Sequence, residues 1–175
     1  LYRDRGDLSV YAKALTGLVL HFQKDVPRRD MVLRNIEQFL EQDDENQTAW
    51  LRMPQNSWWY WYGSENEAMA RYLQLLLKAN PKSETAPKLV KYLLNNRKHG
   101  TYWNSTRDTA LVVEAMADYI AATGEDKPNM TVEVYVDGTL QKKVQISAEN
   151  LFSFDNVMLL QGDAVKTGAH KIELR

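Results

Sequence analysis

Two stretches, Trp61-Tyr-Gly-Ser-Glu-Asn-Glu-Ala68 and Tyr102-Trp-Asn-Ser-Thr-Arg-Asp-Thr109, repeat one pattern at an offset of 41 residues. Each places aromatic residues just before a serine and an acid three residues after it. Serine is a favoured residue at a helix N-cap, because its hydroxyl accepts a hydrogen bond from an early backbone N–H. The repeat therefore predicts that Ser64 and Ser105 begin two equivalent helices.

The acids of this repeat, Glu67 and Asp108, have two interpretations. As helix-cap residues they bond back to the cap and favour the positive end of the helix. As a pair inside a helical ring they would resemble the acid and base of a glycoside hydrolase. Their position three residues after a serine favours capping. We therefore expect a structural role for both and no catalytic residue.

Helical periodicity extends to both sides of the repeat. Apolar residues at three- and four-residue spacing predict about five helices, expected at residues 8–23, 28–41, 64–78, 84–96 and 105–122. The third and fifth are apolar on most of their circumference, which predicts buried, inner-layer helices. The second and fourth have one polar face, which predicts an outer layer. Helix pairs that repeat every ~40 residues indicate a solenoid or a closed α/α ring.

The pattern changes at Gly124-Glu-Asp-Lys-Pro128, which contains several helix breakers. Apolar residues alternate afterwards, and Asp137-Gly138 joins two such runs, which is a hairpin signal. Strands are expected at residues 131–136, 139–146, 152–160 and 169–174. The predicted fold is therefore mixed α and β. Residues 1–125 form part of an α/α toroid, and residues 129–175 form an antiparallel portion of a β-sandwich that needs further strands.

Composition excludes several classes of function. The chain has 175 residues, a net charge of −1 and no cysteine. It therefore has no basic field for nucleic acid, no thiolate metal site and no cysteine nucleophile. No apolar run approaches the ~20 residues that span a bilayer. The sequence shows no signal peptide, begins without Met and ends on a predicted strand, so we expect a fragment of a longer polypeptide.

Other polar groups do not form a recognisable ligand set. The three histidines have no metal-ligand spacing: His21, His99 and His170. One acidic cluster lacks the alternation and central glycine of a calcium loop: Glu41, Asp43, Asp44 and Glu45. We interpret that cluster as a solvated helix end. No metal and no cofactor are expected.

The aromatic run from Trp58 to Tyr62 has two interpretations. Aromatic side chains stack on sugars or bases, and they also fill cores between helix layers. Consecutive side chains cannot all point inward. We therefore expect exposed members of the run to form a docking surface, with Trp58, Trp59 and Trp61 as the candidates.

Several motifs resemble the closing helices of the thioester domain in alpha-2-macroglobulins and complement components. That family has a tryptophan- or tyrosine-rich glycine segment before a Ser-Thr-x-Asp/Ala-Thr helix start. The matching segments are Trp59-Tyr-Trp-Tyr-Gly63, Leu89-Val-Lys-Tyr-Leu-Leu-Asn-Asn-Arg97, His99-Gly-Thr-Tyr-Trp103, Ser105-Thr-Arg-Asp-Thr-Ala110 and Glu114-Ala-Met-Ala-Asp-Tyr119. The resemblance covers residues 7–122, and the Asn-Asn-Arg and Ser-Thr-Arg-Asp-Thr segments look like those of large bacterial members. The later strands lie where that family resumes its CUB-like β domain.

The resemblance implies a broad protease inhibitor that works as a trap. In the family a protease cuts a bait segment, the trap changes shape, and a Cys-to-Gln thioester captures the attacker. This chain lacks the Cys-Gly/Leu-Glu-Gln segment, which lies upstream of the matched helices in the family, so no catalytic residue is carried over. The implied partners are the rest of the parent polypeptide and, through it, target proteases. The implied location is extracellular or periplasmic.

Two alternatives remain open. The first is an enzyme on an α/α ring, either terpene-cyclase-like or glycan-degrading. Gly100-Thr-Tyr-Trp103 is similar to the Gly-x-Trp repeats of cyclases, but it lacks the preceding Gln, and the chain has no Asp-rich cyclase motif. The second is a carbohydrate-binding module that uses the aromatic run. Glycan binding that falls on Trp59→Ala would favour it.

Overall fold

The computed structural model describes residues 2–53, 64–151, 153–160 and 167–175. In these residues the chain has five α-helices and two small antiparallel sheets, which confirms the predicted mixed class. It divides into two compact units, Leu1–Thr123 and Gly124–Arg175. The elements of the first unit are α1 (Val10–Phe22), α2 (Val26–Glu37), β1 (Leu40–Asp43), β2 (Thr48–Leu51), α3 (Glu65–Ala79), α4 (Thr85–Asn95) and α5 (Thr106–Thr123).

Short polar side chains begin the first two helices. Ser9 caps α1, where its hydroxyl accepts a hydrogen bond from the Ala12 N–H at 3.1 Å. Asp25 caps α2 through the Arg28 N–H at 3.2 Å, and Pro27 lies in the first turn, where no backbone N–H is needed. Lys24 separates the two helices with a left-handed φ of 61°. Local sequence therefore accounts for both helix starts.

Helix α3 is the centre of the first unit. It packs against α1, α2, α4 and α5, and eleven of its residues are buried. Gly17 of α1 allows the close approach to α3, because a Cβ at this position would collide with the Leu75 side chain. The pairs Arg71–Glu114 at 3.3 Å and Gln74–Asp118 at 2.7 Å show that α3 and α5 run parallel. The prediction of a buried third helix is confirmed.

The prediction that the fifth helix is equally buried is wrong. Helix α5 has four buried residues, whereas Val113 and Ile120 are 54% and 41% exposed. The reason is the number of helices that pack against each one. Helix α3 has neighbours on both flanks, whereas α5 packs on α3 and α4 and leaves its other flank open in the described part of the first unit.

The acidic cluster is not a helix end, so that prediction is also wrong. Helix α2 ends at Glu37, and the cluster lies on β1 and in the turn that joins it to β2. The Asp43 carboxylate accepts hydrogen bonds from the N–H groups of Glu45 and Asn46 at 3.0 and 3.1 Å, which forms the turn. A tertiary contact then holds the hairpin, because Trp50 stacks on Tyr92 of α4 at a ring-centroid distance of 5.4 Å.

The second unit contains one three-stranded antiparallel sheet in the order β4-β3-β5. Its strands are β3 (Asn129–Val136), β4 (Thr139–Ser147) and β5 (Ile172–Leu174). Asp137 and Gly138 have φ values of 51° and 80°, as the predicted tight hairpin turn requires. One face carries apolar cross-strand pairs such as Val132 with Val144, and the other carries polar pairs such as Glu133 with Lys143.

The expected third strand of this region is wrong in residues 153–160, which form no strand. A side chain holds this segment instead. The Lys142 ammonium donates to the Val157 carbonyl and pairs with Asp155 at 2.7 Å. The expected last strand is shorter than predicted and covers Ile172–Leu174. None of the described helices combines the length and the apolar character that crossing a lipid bilayer requires.

Candidate functional site

The repeated serines lie at the starts of α3 and α5. The Ser64 hydroxyl accepts a hydrogen bond from the Glu67 N–H at 3.2 Å. The Ser105 hydroxyl accepts one from the Asp108 N–H at 3.1 Å. Each serine carbonyl also accepts the first helical bond, at 3.1 Å and 2.9 Å respectively. Both serines therefore occupy N-cap positions.

One carboxylate joins the two helix starts. Ser64 Oγ donates to Asp108 Oδ2 at 2.6 Å, and Ser105 Oγ donates to Asp108 Oδ1 at 2.9 Å. Asn66 Nδ2 adds a third hydrogen bond, to Oδ2 at 3.2 Å. Asp108 is 2% exposed. We call this group of Ser64, Asn66, Ser105 and Asp108 the Asp108 clamp.

The electrostatics of the clamp favour an ionised Asp108. Burial raises the pKa of this carboxyl, but hydrogen bonds donated by Ser64, Asn66 and Ser105 help to outweigh burial and hold the pKa below its ordinary value. The carboxylate also lies at the N-terminal ends of two parallel helices, where the helix dipoles favour negative charge. The clamp is therefore a buried anion that hydrogen bonds and dipoles stabilise together.

Glu67 pairs across the helices rather than with its own cap. It is 1% exposed, and its carboxylate lies beside Asp108 and accepts a hydrogen bond from Arg107 Nε of α5. The expectation that it bonds back to the start of α3 is therefore wrong. The cause is Arg107, which supplies a charged donor stronger than a backbone N–H. The Glu67 hydrogen bond raises the pKa of Arg107.

Sequence reasoning missed Asn66 and Arg107. The 41-residue offset of the repeat was the signal in the sequence that could have identified them. Placing α3 and α5 in parallel with a shift of about 41 residues brings Arg107 opposite Glu67 and Asp108 opposite Asn66. The same relation continues down the helices, where Arg71 donates to Glu114 at 3.3 Å and Gln74 donates to Asp118 at 2.7 Å. The polar contacts between α3 and α5 therefore form a continuous row from the clamp onward.

The aromatic residue before the second serine anchors the entering loop. Trp103 is 3% exposed, and its indole Nε1 donates to the Leu93 carbonyl at 2.9 Å. Its backbone N–H donates to Thr109 Oγ1 at 3.1 Å. These bonds join the end of α4 to the start of α5. The corresponding candidates of the first copy, Trp58, Trp59 and Trp61, lie outside the described residues.

The histidines have separate surroundings. His21 Nδ1 lies 3.3 Å from Arg29, the His99 ring lies 5.9 Å from the Tyr102 ring, and His170 Nδ1 lies 2.7 Å from Asp137. The last contact lowers the pKa of Asp137. The described part of the chain contains no group of three or more His, Asp or Glu side chains that could hold a metal ion.

The Asp108 clamp together with Glu67 and Arg107 has the composition of an acid–base site but not its accessibility. Two carboxyl groups, an arginine and two serines meet at one point, and general acid–base catalysis uses such groups. A catalytic group must lie within hydrogen-bond reach of its substrate. Glu67 and Asp108 are buried, and Asp108 already accepts three bonds from the protein. The arrangement is therefore suited to fixing two helices in register.

No protein-family model matches the chain, and no curated protein matches it. The motifs and the geometry of the Asp108 clamp are therefore the basis for proposing a function.

Proposed function

We propose that this chain is a non-catalytic structural and interaction module of a broad protease inhibitor of the alpha-2-macroglobulin type. In this proposal Leu1–Thr123 is part of an α/α toroid, and Gly124–Arg175 belongs to a CUB-like β domain. One observation carries the proposal: a buried carboxylate, Asp108, bonds to the cap serines of two parallel helices. Such a clamp fixes a helical scaffold that can hold and shield a reactive segment.

The layering of the helices supports the toroid. Helices α3 and α5 run parallel, and α4 returns the chain between them in sequence. Leu89 and Leu93 of α4 are buried, whereas Lys91 is exposed and donates to the Asn46 carbonyl at 2.7 Å. An amphipathic helix of this kind covers a parallel inner layer from outside. Parallel inner helices joined by outer ones are the repeating unit of an α/α ring.

An enzyme on the same scaffold is the second candidate, and the contact between Glu67 and Asp108 favours it. A turnover assay separates the two candidates. The purified protein is incubated with peptide and oligosaccharide panels, together with Glu67→Gln and with Glu114→Gln as a control. Glu114 is a half-exposed acid of α5 that contacts Arg71. The module proposal expects no turnover. Turnover that disappears in Glu67→Gln and persists in Glu114→Gln would establish the enzyme.

A second experiment tests the trap with the full-length polypeptide that carries this segment. A trap encloses its protease, so large substrates are excluded while small ones still enter. We expect a trapped endopeptidase to lose cleavage of a folded protein substrate and to keep most cleavage of a short chromogenic peptide. Equal loss of both activities would indicate an active-site inhibitor. Loss of neither would contradict protease inhibition altogether.

The proposed partners and location follow from the same proposal. The partners are the rest of the parent polypeptide and the target proteases, and the location is the cell envelope or the extracellular space. Fractionation of cells that express the full-length protein tests the location. Recovery in the cytosol would contradict it.

A further inference from the structure

A cavity of about 400 Å³ lies in the first unit, away from the Asp108 clamp. It opens where a short 3-10 turn, Arg5–Asp7, lies beside α1 and the end of α2. This volume is within the range that holds a small organic ligand. Its lining residues are Arg5, Gly6, Lys13, Asn35, Gln38 and Phe39.

Lys13 supplies a buried cation to this cavity. The residue is 6% exposed, and its Nζ donates to the carbonyls of Gly6 at 3.2 Å and Leu8 at 2.5 Å. Its pKa is lowered, because burial disfavours the charged amine more than the nearby Asp7 favours it. An ammonium has three donors, and two carbonyl partners are described. Lys13 is therefore a cation that an added anion would stabilise.

Arg5 supplies the second cation. Its Nη1 donates to the Tyr2 carbonyl at 3.3 Å, and its guanidinium lies over the Tyr2 ring. Its Nε is buried and has no hydrogen-bond partner among the described residues. Buried donors are normally paired, and an unpaired one is unfavourable. Arg5 also lines the cavity, and a carboxylate is a favoured ligand of a guanidinium group.

The opposite wall adds an apolar surface and uncharged donors. Phe39 is half-buried, and its ring centroid lies 5.7 Å from Lys13 Nζ. Asn35 and Gln38 at the end of α2 contribute amide groups. Within the described part of the chain, the cavity lining contains two cations and no acid. Asp7, which is not a lining residue, favours the charged form of Lys13. The cavity therefore combines net positive charge with an aromatic wall.

We propose that this cavity is a binding site for a small organic carboxylate with a planar or apolar body. The carboxylate lies between Arg5 and Lys13, and the body packs on Phe39. The proposal does not depend on the protease-trap function, since the cavity shares no residue with the Asp108 clamp. It gives the two cations of the cavity an anionic partner and the Phe39 ring an apolar contact.

Isothermal titration calorimetry on the intact chain at low ionic strength tests the site with benzoate. We expect saturable binding with a Kd of about 1 mM or tighter. Benzamide has the same ring without the charge, and phosphate has charge without the ring. Both are expected to bind at least about tenfold more weakly. Absence of saturable benzoate binding, or equal binding of either control ligand, would overturn the proposal.

A matched pair of variants locates the site. Arg5→Gln is expected to weaken benzoate binding at least about tenfold. Arg3→Gln is the control, because the Arg3 side chain is 95% exposed and lies outside the cavity. Equal affinity in both variants would contradict the assignment.

Amide NMR of the unsubstituted protein provides a measurement that does not depend on variant folding. Benzoate should shift the Gly6 and Phe39 resonances and leave those of β3 and β4 unchanged. Shifts spread evenly over both units, or the absence of shifts at Gly6 and Phe39, would contradict the assignment.

Discussion

Replacing Asp108 with Asn tests the reasoning about the two helix starts most directly. The substitution preserves the shape of the side chain and removes its charge. The Ser64, Asn66 and Ser105 donors then face an amide with one acceptor oxygen and an NH2 group. At least one donor loses its acceptor in a buried place. We expect Asp108→Asn to fold with the same helices and to unfold more easily.

The magnitude follows from the hydrogen bonds. A hydrogen bond to a charged group contributes about 1.5–3 kcal/mol, and bonds that share one acceptor are not additive. Because Asn keeps one acceptor oxygen, we expect a loss of about 2–4 kcal/mol in the free energy of unfolding. Whole domains are stable by about 5–15 kcal/mol, so this loss is large. With a urea dependence of about 2 kcal/mol/M, the midpoint falls by about 1–2 M.

The assay is urea unfolding, monitored by the helical circular dichroism signal at about 222 nm. The control is Asp118→Asn. Asp118 is also an acid of α5, but it is half-buried and has one described donor, Gln74. We expect the control to lose about 1 kcal/mol or less. A midpoint for Asp108→Asn within experimental error of the unsubstituted protein, or equal to that of Asp118→Asn, would refute the clamp.

The stability lost in Asp108→Asn should also depend on pH. The pKa of folded Asp108 lies below its ordinary value, so the carboxylate contributes stability that is complete above the unfolded pKa of about 3.9. That contribution is lost as the pH falls through the folded pKa. The stability difference between the unsubstituted protein and the Asp108→Asn variant should therefore be constant near pH 7 and shrink below about pH 4. A difference that grows toward acid would have the wrong sign.

Three further predictions concern packing and capping. In Gly17→Ala the new Cβ would collide with Leu75, which costs about 1–3 kcal/mol, and helix propensity returns about 1 kcal/mol, so urea unfolding should show a net loss of up to about 2 kcal/mol in the free energy of unfolding. Trp103→Phe should lower the free energy of unfolding by about 2–3 kcal/mol, because it removes the indole N–H donor from a buried site. The measurement is a lower melting temperature. Ser64→Ala and Ser105→Ala should each cost about 1–2 kcal/mol, and a double-mutant cycle should show coupling of at least about 0.5 kcal/mol, because both donate to one carboxylate.

Each of these predictions has a control or a contrary outcome. Gly6→Ala is the control for the glycine test, since no described atom lies within 4 Å of a Cβ there. Equal stability of the two glycine variants would contradict close packing of α1 on α3. An unchanged melting temperature for Trp103→Phe would show that the hydrogen bond from the indole to the Leu93 carbonyl does not stabilise the fold. Strict additivity of the two serine variants would mean that the caps act independently.

Local sequence was sufficient wherever the determining contact lies within a few residues. Ser64 and Ser105 begin helices because a short side chain competes for a backbone N–H three residues later. Asp137-Gly138 forms a tight turn because both residues tolerate positive φ. Signals of this kind placed the starts of the described helices close to their observed positions, and they placed the β3–β4 hairpin as well.

Contacts between distant residues could not be predicted in the same way. The acidic segment after α2 has poor intrinsic strand propensity, and a stacking contact between Trp50 and Tyr92 stabilises the hairpin that contains it. The fifth helix has the composition of a buried helix, but its burial depends on how many neighbours it has. Glu67 was predicted to hydrogen-bond to the start of its own helix, α3, whereas it accepts a hydrogen bond from Arg107 of α5.

The sequence by itself determined the positions of the turns and caps, the mixed α and β class, and the pairing of two serine-and-acid signatures at one offset. Only the tertiary structure decided that a single carboxylate, Asp108, serves both helix starts, and that Glu67 pairs with the neighbouring helix. The physical reason is range. A cap bond forms between residues three apart in one chain segment, whereas the Asp108 clamp exists only when packing brings Ser64 and Asp108, which are 44 positions apart, to a distance of 2.6 Å.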